Sequence, residues 1–121
     1  MLIASILAAA ALGGTPTTSL SVTVWPNGRD HASRVATLRC GPVGGTLPGR
    51  ATACSRLAKL PGNPFTPVSG ETVCTQLYGG PQEALVRGTF RGRHVWARFT
   101  RRDGCQIARW DQLSFLFPVR L

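Results

Sequence analysis

Short segments in which apolar and polar residues alternate make up most of the chain, and turns rich in glycine and proline separate them. Leu20–Trp25 alternates strictly and ends at the turn signal Pro26-Asn27-Gly28. Because successive side chains of a strand point to opposite faces, a period of two predicts a half-buried strand. Similar segments predict further strands, and a terminal apolar run could add a last one: Ser33–Cys40, Ala84–Phe90, His94–Thr100 and Leu113–Val119.

Two other segments carry helical spacing. Arg50–Leu60 places Cys54, Leu57 and Ala58 on one side of a helix. Spacings of three and four residues are typical of a helix whose apolar stripe packs against a core. A shorter helical stretch is expected from Cys105 to Trp110.

The element order defines the expected fold class. Arg91-Gly92 is a two-residue turn suited to a hairpin between the third and fourth strands. The 121 residues include 14 Gly and 9 Pro, which favours short elements over long helices. We therefore expect a single α+β domain with an antiparallel sheet of about five strands, covered by one main and one short helix and closed by two disulfides.

The N-terminal residues have a different character from the rest. Met1–Leu12 is an uncharged apolar run, followed by Gly13–Pro16. Small residues ahead of a helix-breaking boundary are typical of a secretory signal peptide. We expect residues 1–17 to be this signal, cleaved between Ala11 and Thr18, and residues 18–121 to be a secreted domain without a membrane span.

The charge is strongly positive. The formal net charge is +9, and thirteen of the fourteen basic residues are arginine. Arginines interleaved with aromatic residues suit phosphate contact and base stacking, so a secreted module that binds polyanions, nucleic acid or the cell envelope is the alternative function. Alternation in His94–Phe99 instead favours a solvated face with the aromatic residues buried opposite, so nucleic acid is not an expected partner. The cluster comprises Arg87, Arg91, Arg93, Arg98, Arg101, Arg102 and Arg109, with Phe90, Trp96, Phe99 and Trp110.

Catalysis and metal binding find little support. Only five acidic residues and two histidines are available, and no GxSxG motif or paired-carboxylate motif occurs. No CxxC pair occurs, and His31 and His94 show no ligand spacing to any cysteine. We expect no enzyme activity, no metal and no cofactor.

The four cysteines allow three disulfide pairings. Export to an oxidising compartment favours bridges over free thiols. A local bridge from Cys40 to Cys54 would pin the main helix to the sheet. Cys74 and Cys105 would then join the loop before the hairpin to the segment after it, and each bridge would stabilise the fold by about 2–4 kcal/mol.

The segment Thr72–Pro81 has the composition of an exposed, extended loop. It contains no charged residue, begins with β-branched residues and ends with glycine and proline. An extended segment anchored by a disulfide can add a strand to the edge of a partner's sheet. A structural crossover would have the same composition.

The chain resembles the Streptomyces subtilisin inhibitor family. The resemblance covers roughly Leu20–Phe117 and rests on the VCTQLYGGP run, the spacing of the four cysteines, and the later GTFRGRHVWARF and DGCQIARW segments. Members of that family are secreted inhibitors of subtilisin-like serine proteases, built as an antiparallel sheet covered by helices. The resemblance implies the bridges Cys40–Cys54 and Cys74–Cys105, and it suggests a homodimer formed by pairing of sheets.

The resemblance also implies a reactive bond between Gln76 and Leu77. Gln76 would enter the primary specificity pocket of the protease, and Leu77 would follow the bond. The other residues expected to contact the protease are Val73, Cys74, Thr75, Tyr78 and Gly79.

Two departures from the best-known members concern specificity. Those members have proline before the primary residue and a large apolar or basic side chain at it, where this chain has Thr75 and Gln76. They also have Asp-Pro after the tyrosine, where this chain has Gly79-Gly80-Pro81.

Overall fold

A computed structural model describes residues 17–119. Five strands form one antiparallel sheet in the order β3-β2-β1-β4-β5. The predicted α+β class is confirmed. The elements are β1 Thr18–Trp25, β2 Arg34–Cys40, β3 Gly44–Gly45, α1 Arg50–Lys59, β4 Glu83–Phe90, β5 Arg93–Thr100, α2 Gly104–Leu113 and the 3₁₀ turn Ser114–Leu116.

The two faces of the sheet have different surroundings. Alternate residues such as Val22, Leu38 and Val86 are fully buried on the inner face, where both helices contribute to the same core. The intervening residues form the outer face, which includes Arg87 and Trp96 and which neither α1 nor α2 covers. The period of two in the sequence therefore results from a sheet with only one covered face.

Helix α1 packs through a slightly different stripe from the expected one. Ala53 and Leu57 are buried, whereas Ala58 is exposed. Cys54 is half-buried at the edge of this stripe and is bridged to Cys40 at the end of β2. The disulfide thus attaches the helix covalently to the sheet, as expected for a local bridge from Cys40 to Cys54.

The hairpin between β4 and β5 turns at the predicted residues. Arg91 and Gly92 both have positive φ, 51° and 78°. A two-residue turn of this hand matches the twist of the flanking strands. The Arg91 guanidinium reaches back to donate to the carbonyls of Leu57 and Ala58, the last turn of α1.

The prediction of a strand at Leu113–Val119 is wrong. Helix α2 continues to Leu113, and a 3₁₀ turn follows it. Leu113, Leu116 and Phe117 are buried, and their spacing of three and one places them on one side of a helical turn. The fifth strand is instead β3, a glycine pair opposite Leu38 and Arg39, which the alternation of apolar and polar residues does not predict.

The predicted signal peptide lies almost wholly outside the described residues. Within residues 17–119, no helix has the length and apolar character that would be needed to span a membrane.

Candidate reactive loop

Residues 61–82 connect α1 to β4 without a helix or strand, and most residues in the second half of this connection are exposed. Val73 is 95% exposed, Leu77 63% and Tyr78 65%. Thr75 and Gln76 between them are also exposed. Three large apolar side chains in water within six residues are unfavourable for a free domain and are typical of a surface that a partner covers.

The loop is anchored on the N-terminal side of the Gln76–Leu77 bond. Cys74 forms a disulfide with Cys105 in the first turn of α2. The carbonyl oxygen of Thr75 accepts a hydrogen bond from the backbone N–H of Gly104, at 2.9 Å. A Cβ on Gly104 would clash with the Thr75 hydroxyl and lie 3.3 Å from the Thr75 Cβ, so any larger residue here would force the Thr75 side chain to move.

A second anchor lies on the C-terminal side of the same bond. The backbone N–H of Gly79 donates to the carbonyl of Arg101 at 2.7 Å. The Arg101 side chain completes the pair, because its Nε donates to the Gly79 carbonyl at 3.2 Å. A Cβ on Gly79 would come within 2.8 Å of Ile107 Cδ1, so this residue too sits closely against its support.

Both anchors end on one short segment, which is itself held firmly. Arg101 directly follows β5, and its Nη1 pairs with the Asp111 carboxylate of α2 at 2.9 Å. Asp103 caps α2 by accepting from the N–H of Gln106 at 2.9 Å. The segment 101–105 is therefore fixed by a strand at one end and a capped helix at the other.

Arg109 supports the earlier part of the connection. Its guanidinium donates to the carbonyls of Phe65, Thr66 and Arg98 and lies 4.0 Å from the centre of the Phe99 ring. Burial lowers the pKa of Arg109 from its ordinary value, because the buried guanidinium loses water. Through hydrogen bonds to these carbonyl oxygens, Arg109 links residues 65–66 to β5.

The predicted site residues therefore divide into two groups. Val73, Thr75, Gln76, Leu77 and Tyr78 are exposed, whereas Cys74 and Gly79 are half-buried and carry the anchors. The disulfides are Cys40–Cys54 and Cys74–Cys105, the pairing that the resemblance implied.

The sequence did not reveal Arg101, Gly104 and Arg109 as parts of the site. They lie 22 to 44 residues from their loop partners, as the contacts Arg101–Gly79 and Arg109–Phe65 illustrate. An arginine directly after a strand and a glycine after the helix cap are the only local signals, and both are common in unrelated turns.

One group of potential metal ligands lies near the loop. Cys74, Asp103 and Cys105 have their ligand atoms within 4.8 Å of one another. Both sulfurs are already bonded in the disulfide and offer no thiolate. The closeness of these three residues is therefore explained by the Cys74–Cys105 disulfide that anchors the loop.

These features define a small disulfide-bonded domain that displays one exposed loop with an anchor on each side of residues 76–78. The profile of the family described as subtilisin inhibitor-like matches residues 16–101. Subtilisin inhibitor-like protein 1 of Streptomyces cacaoi is 34% identical over 91 residues, which cover 71% of this chain and 81% of the relative. The chain therefore belongs to the subtilisin inhibitor-like family, a family of protease inhibitors rather than of enzymes, and the resemblance in the sequence is confirmed.

Two further similarities are consistent with this assignment. The subtilisin inhibitor of Streptomyces violaceus is 38% identical over 65 residues, which cover 51% of this chain and 44% of the relative. The solved structure of Streptomyces caespitosus sermetstatin in complex with Bacillus licheniformis subtilisin aligns with a TM-score of 0.51 at 21% identity, covering 85% of this chain and 97% of sermetstatin. At 21% identity, the match to sermetstatin shows that the two proteins share a fold.

Proposed function

We propose that this protein is a secreted inhibitor of subtilisin-like serine proteases and that its reactive bond joins Gln76 to Leu77. The protease would take residues 73–79 as an extended strand along the edge of its substrate cleft. The observation that carries the proposal is the pair of anchors, Thr75 to Gly104 and Gly79 to Arg101, on either side of that bond.

The anchors supply a physical reason for inhibition. A protease cleaves an ordinary peptide because the leaving half diffuses away after the acyl-enzyme forms. Here the new amine of Leu77 would stay beside the acyl group on Gln76, since Gly79 holds one half and Cys74 with Thr75 holds the other. Effective concentrations of well-oriented groups reach about 10⁵ M, so religation can outpace attack by water.

Rigidity also favours binding itself. A flexible peptide loses conformational freedom when it enters the cleft, at about 0.5–1.5 kcal/mol for each side chain that becomes ordered. A loop already held in place loses less. The exposed side chains of Leu77 and Tyr78 would then bury their apolar surface against the protease.

Gln76 sets the expected target class. Proteases of the trypsin type recognise a basic residue through a buried acid in the primary pocket, and a neutral amide cannot form that ion pair. A broad subtilisin pocket accepts an uncharged side chain of this size. We therefore expect subtilisin-like enzymes to be the targets.

The proposed location is outside the cell. Residues 1–17 would direct export, and the two disulfides suit an oxidising compartment. Expression of the full chain in an exporting host, followed by N-terminal sequencing of the protein in the medium, tests this: a mature terminus between residues 12 and 18 is expected, and retention of Met1 would contradict it.

The family resemblance also suggests a homodimer formed through the sheet. The outer face is uncovered among residues 17–119 and offers Val35 and Trp96 as exposed apolar side chains. Arginines on the same face would oppose pairing at low ionic strength. A molecular mass measured at two salt concentrations distinguishes monomer from dimer.

The central test uses purified protein and subtilisin. We expect inhibition at an equimolar ratio, followed on long incubation by a slow nick whose new N-terminus is Leu77. Cleavage mainly at any other bond would contradict the placement of the reactive bond, and rapid degradation without inhibition would contradict the function.

A further inference from the structure

The arginines that the sequence groups together do not form one patch in the structure. Arg91 and Arg93 lie by themselves at the hairpin turn between β4 and β5. Contrary to the expectation, Trp96 is not buried away from the arginines but is 58% exposed on the outer face. The other members of the cluster lie on that outer face or beside the reactive loop and its supports: Arg87, Arg98, Arg101, Arg102 and Arg109.

A cleft of about 310 Å³, here called the hairpin cleft, opens between this turn and the end of α1. Arg93 is in phase with the buried Val95 and Ala97 of β5, so it lies on the side of the sheet that the helices cover. The hairpin cleft is therefore not part of the outer face, through which the suggested homodimer would form. Its lining residues are Gly62, Asn63, Phe90, Arg91 and Arg93.

Arg91 has internal partners for its charge. Its guanidinium donates to the carbonyls of Leu57, Ala58 and Gly62, at the end of α1 and just after it. The C-terminal end of a helix is the negative end of its dipole. Arg91 therefore offsets this negative end and holds the hairpin turn against α1.

The other polar side chains of the hairpin cleft are hydrogen-bond donors. The Asn63 Oδ1 accepts from the backbone N–H of Phe65 at 3.0 Å, which leaves the Asn63 NH₂ group as the available one. Arg93 is exposed and has no ion-pair partner among residues 17–119. Lys59 is the exposed last residue of α1, the turn to which Arg91 is bonded. The cleft thus combines two uncompensated positive charges with a neutral donor.

The acidic side chains of the chain lie at the opposite end of the sheet. All five fall within residues 17–119, and none lines the hairpin cleft. The eight residues of β4 connect the two ends, which are about 24 Å apart at about 3.4 Å per residue. A ligand in the hairpin cleft would leave the reactive loop uncovered. The five acidic residues surround that loop: Asp30, Glu71, Glu83, Asp103 and Asp111.

We propose that the hairpin cleft binds a phosphate group of a linear phosphate polymer, with Arg93 and the Asn63 NH₂ on one phosphate and Lys59 on the next. The planar fork of arginine matches phosphate oxygens in pairs. A phosphate group takes only a few times the volume of a water molecule, which is about 30 Å³. The cleft therefore has room for one group and for the chain on either side of it.

The surroundings favour a polymer without bases over nucleic acid or a lipid bilayer. Phe90 is the aromatic residue that lines the cleft, and it is 5% exposed with the Arg91 guanidinium 4.7 Å from its ring centre. A base finds no open ring to stack on here, and a bilayer finds no apolar side chain to insert. Charge and hydrogen bonds alone would hold the ligand, and the inhibitor would rest on a phosphate-rich surface with its loop free.

Titration of the isotope-labelled protein with inorganic polyphosphate at low salt, followed by backbone amide NMR, tests the location. We expect shifts at Gly62, Asn63 and residues 91–93, and none at residues 75–79. Calorimetry then measures affinity, which Arg93→Gln should lower by about 5- to 20-fold. The matched control is Arg50→Gln, which removes the same charge at the exposed other end of α1 and should change affinity by less than about twofold.

A second pair of variants adds a charge instead of removing one. Asn63→Asp keeps an acceptor for the Phe65 N–H and places a carboxylate in the cleft, so affinity should fall at least as far as in Arg93→Gln. Thr52→Asp adds the same charge on the exposed first turn of α1 and should have an effect of less than about twofold. Thermal melts establish that each variant is folded.

The source of the phosphate is distinguished by two further probes at equal phosphate concentration. Oligothymidylate and phosphatidylglycerol vesicles should bind more weakly than polyphosphate, and tighter binding of either would overturn the assignment to a polymer without bases or lipid. Absence of shifts in the hairpin cleft, or equal losses in Arg93→Gln and Arg50→Gln, would overturn the site itself. None of these measurements uses a protease, so this proposal and protease inhibition fail separately.

Discussion

Replacement of Arg101 tests the anchor on the leaving side of the proposed reactive bond. The Arg101→Met variant keeps most of the aliphatic stem and removes the hydrogen bond from Nε to the Gly79 carbonyl. It leaves the backbone bond from the Gly79 N–H to the Arg101 carbonyl in place. The substitution therefore removes half of this anchor without altering the other one at Thr75.

The structure allows the size of the effect to be worked out. A hydrogen bond from a charged donor contributes about 1.5–3 kcal/mol. Because the Arg101 side chain is only 16% exposed, water weakens this hydrogen bond little. The ion pair with Asp111 adds at most about 1 kcal/mol, because that carboxylate is 63% exposed. Since each 1.4 kcal/mol is a factor of ten, release of the Leu77 half should become about 10- to 100-fold more frequent.

The assay follows the intact and nicked inhibitor by mass spectrometry in the presence of catalytic subtilisin. We expect the Arg101→Met variant to be cleaved about 10- to 100-fold faster than the unaltered protein and to lose inhibition with time. Arg102→Met is the matched control, since the Arg102 side chain is 69% exposed and, among residues 17–119, its ion pair is with Glu83 at 3.7 Å. Its cleavage rate should change by less than about fivefold.

Equal cleavage rates in the two variants would refute the role of the Arg101 side chain. If Arg101→Met does not fold, Arg101→Lys provides a second test. Lysine keeps the charge but cannot bond Gly79 and Asp111 at once with a rigid fork, so an intermediate rate is expected.

Three other variants probe the loop directly. Replacing Cys74 and Cys105 together by serine should turn the inhibitor into a substrate, and a double variant that still inhibits and stays intact after long incubation would contradict the anchoring mechanism. Gln76→Arg should increase inhibition of trypsin at least tenfold, because arginine can pair with the acid in the primary pocket of trypsin. If the inhibition constants for trypsin and subtilisin are both unchanged by this substitution, the reactive bond lies elsewhere. Gly104→Ala should displace Thr75 and raise the cleavage rate while the melting temperature falls by only a few degrees; an unchanged rate would show that this contact is unimportant.

Much of the fold could be predicted from alternation because one face of the sheet is buried and the other is not. The core residues Val22 and Val86 illustrate this, since each is flanked by less buried neighbours in its strand. Strand β3 gave no such signal, because Gly44 and Gly45 have no side chains and pair only through their backbones. The prediction for residues 113–119 failed for the opposite reason, because apolar residues at nearly every position except Ser114 obscured a helical spacing.

The exposed half of the site was also readable from the sequence. The uncharged run around Gln76 and the cysteine before it identified the loop. Its supports were not readable, because the bonds of Arg101 and Arg109 depend on how the chain ends of β5 and α2 approach the loop in three dimensions. The position of Trp96 was misjudged because a period of two gives two faces but does not say which of them a large aromatic residue occupies.

The most direct measurement starts from inhibitor that has already been cut between Gln76 and Leu77. The nicked protein is purified, mixed with a catalytic amount of subtilisin, and followed by mass spectrometry and by reducing gel electrophoresis. Two firmly held halves should rejoin, so the mass of one water should be lost and the intact chain should reappear until cut and uncut forms reach comparable amounts. A nicked protein that never rejoins and no longer inhibits would contradict the account.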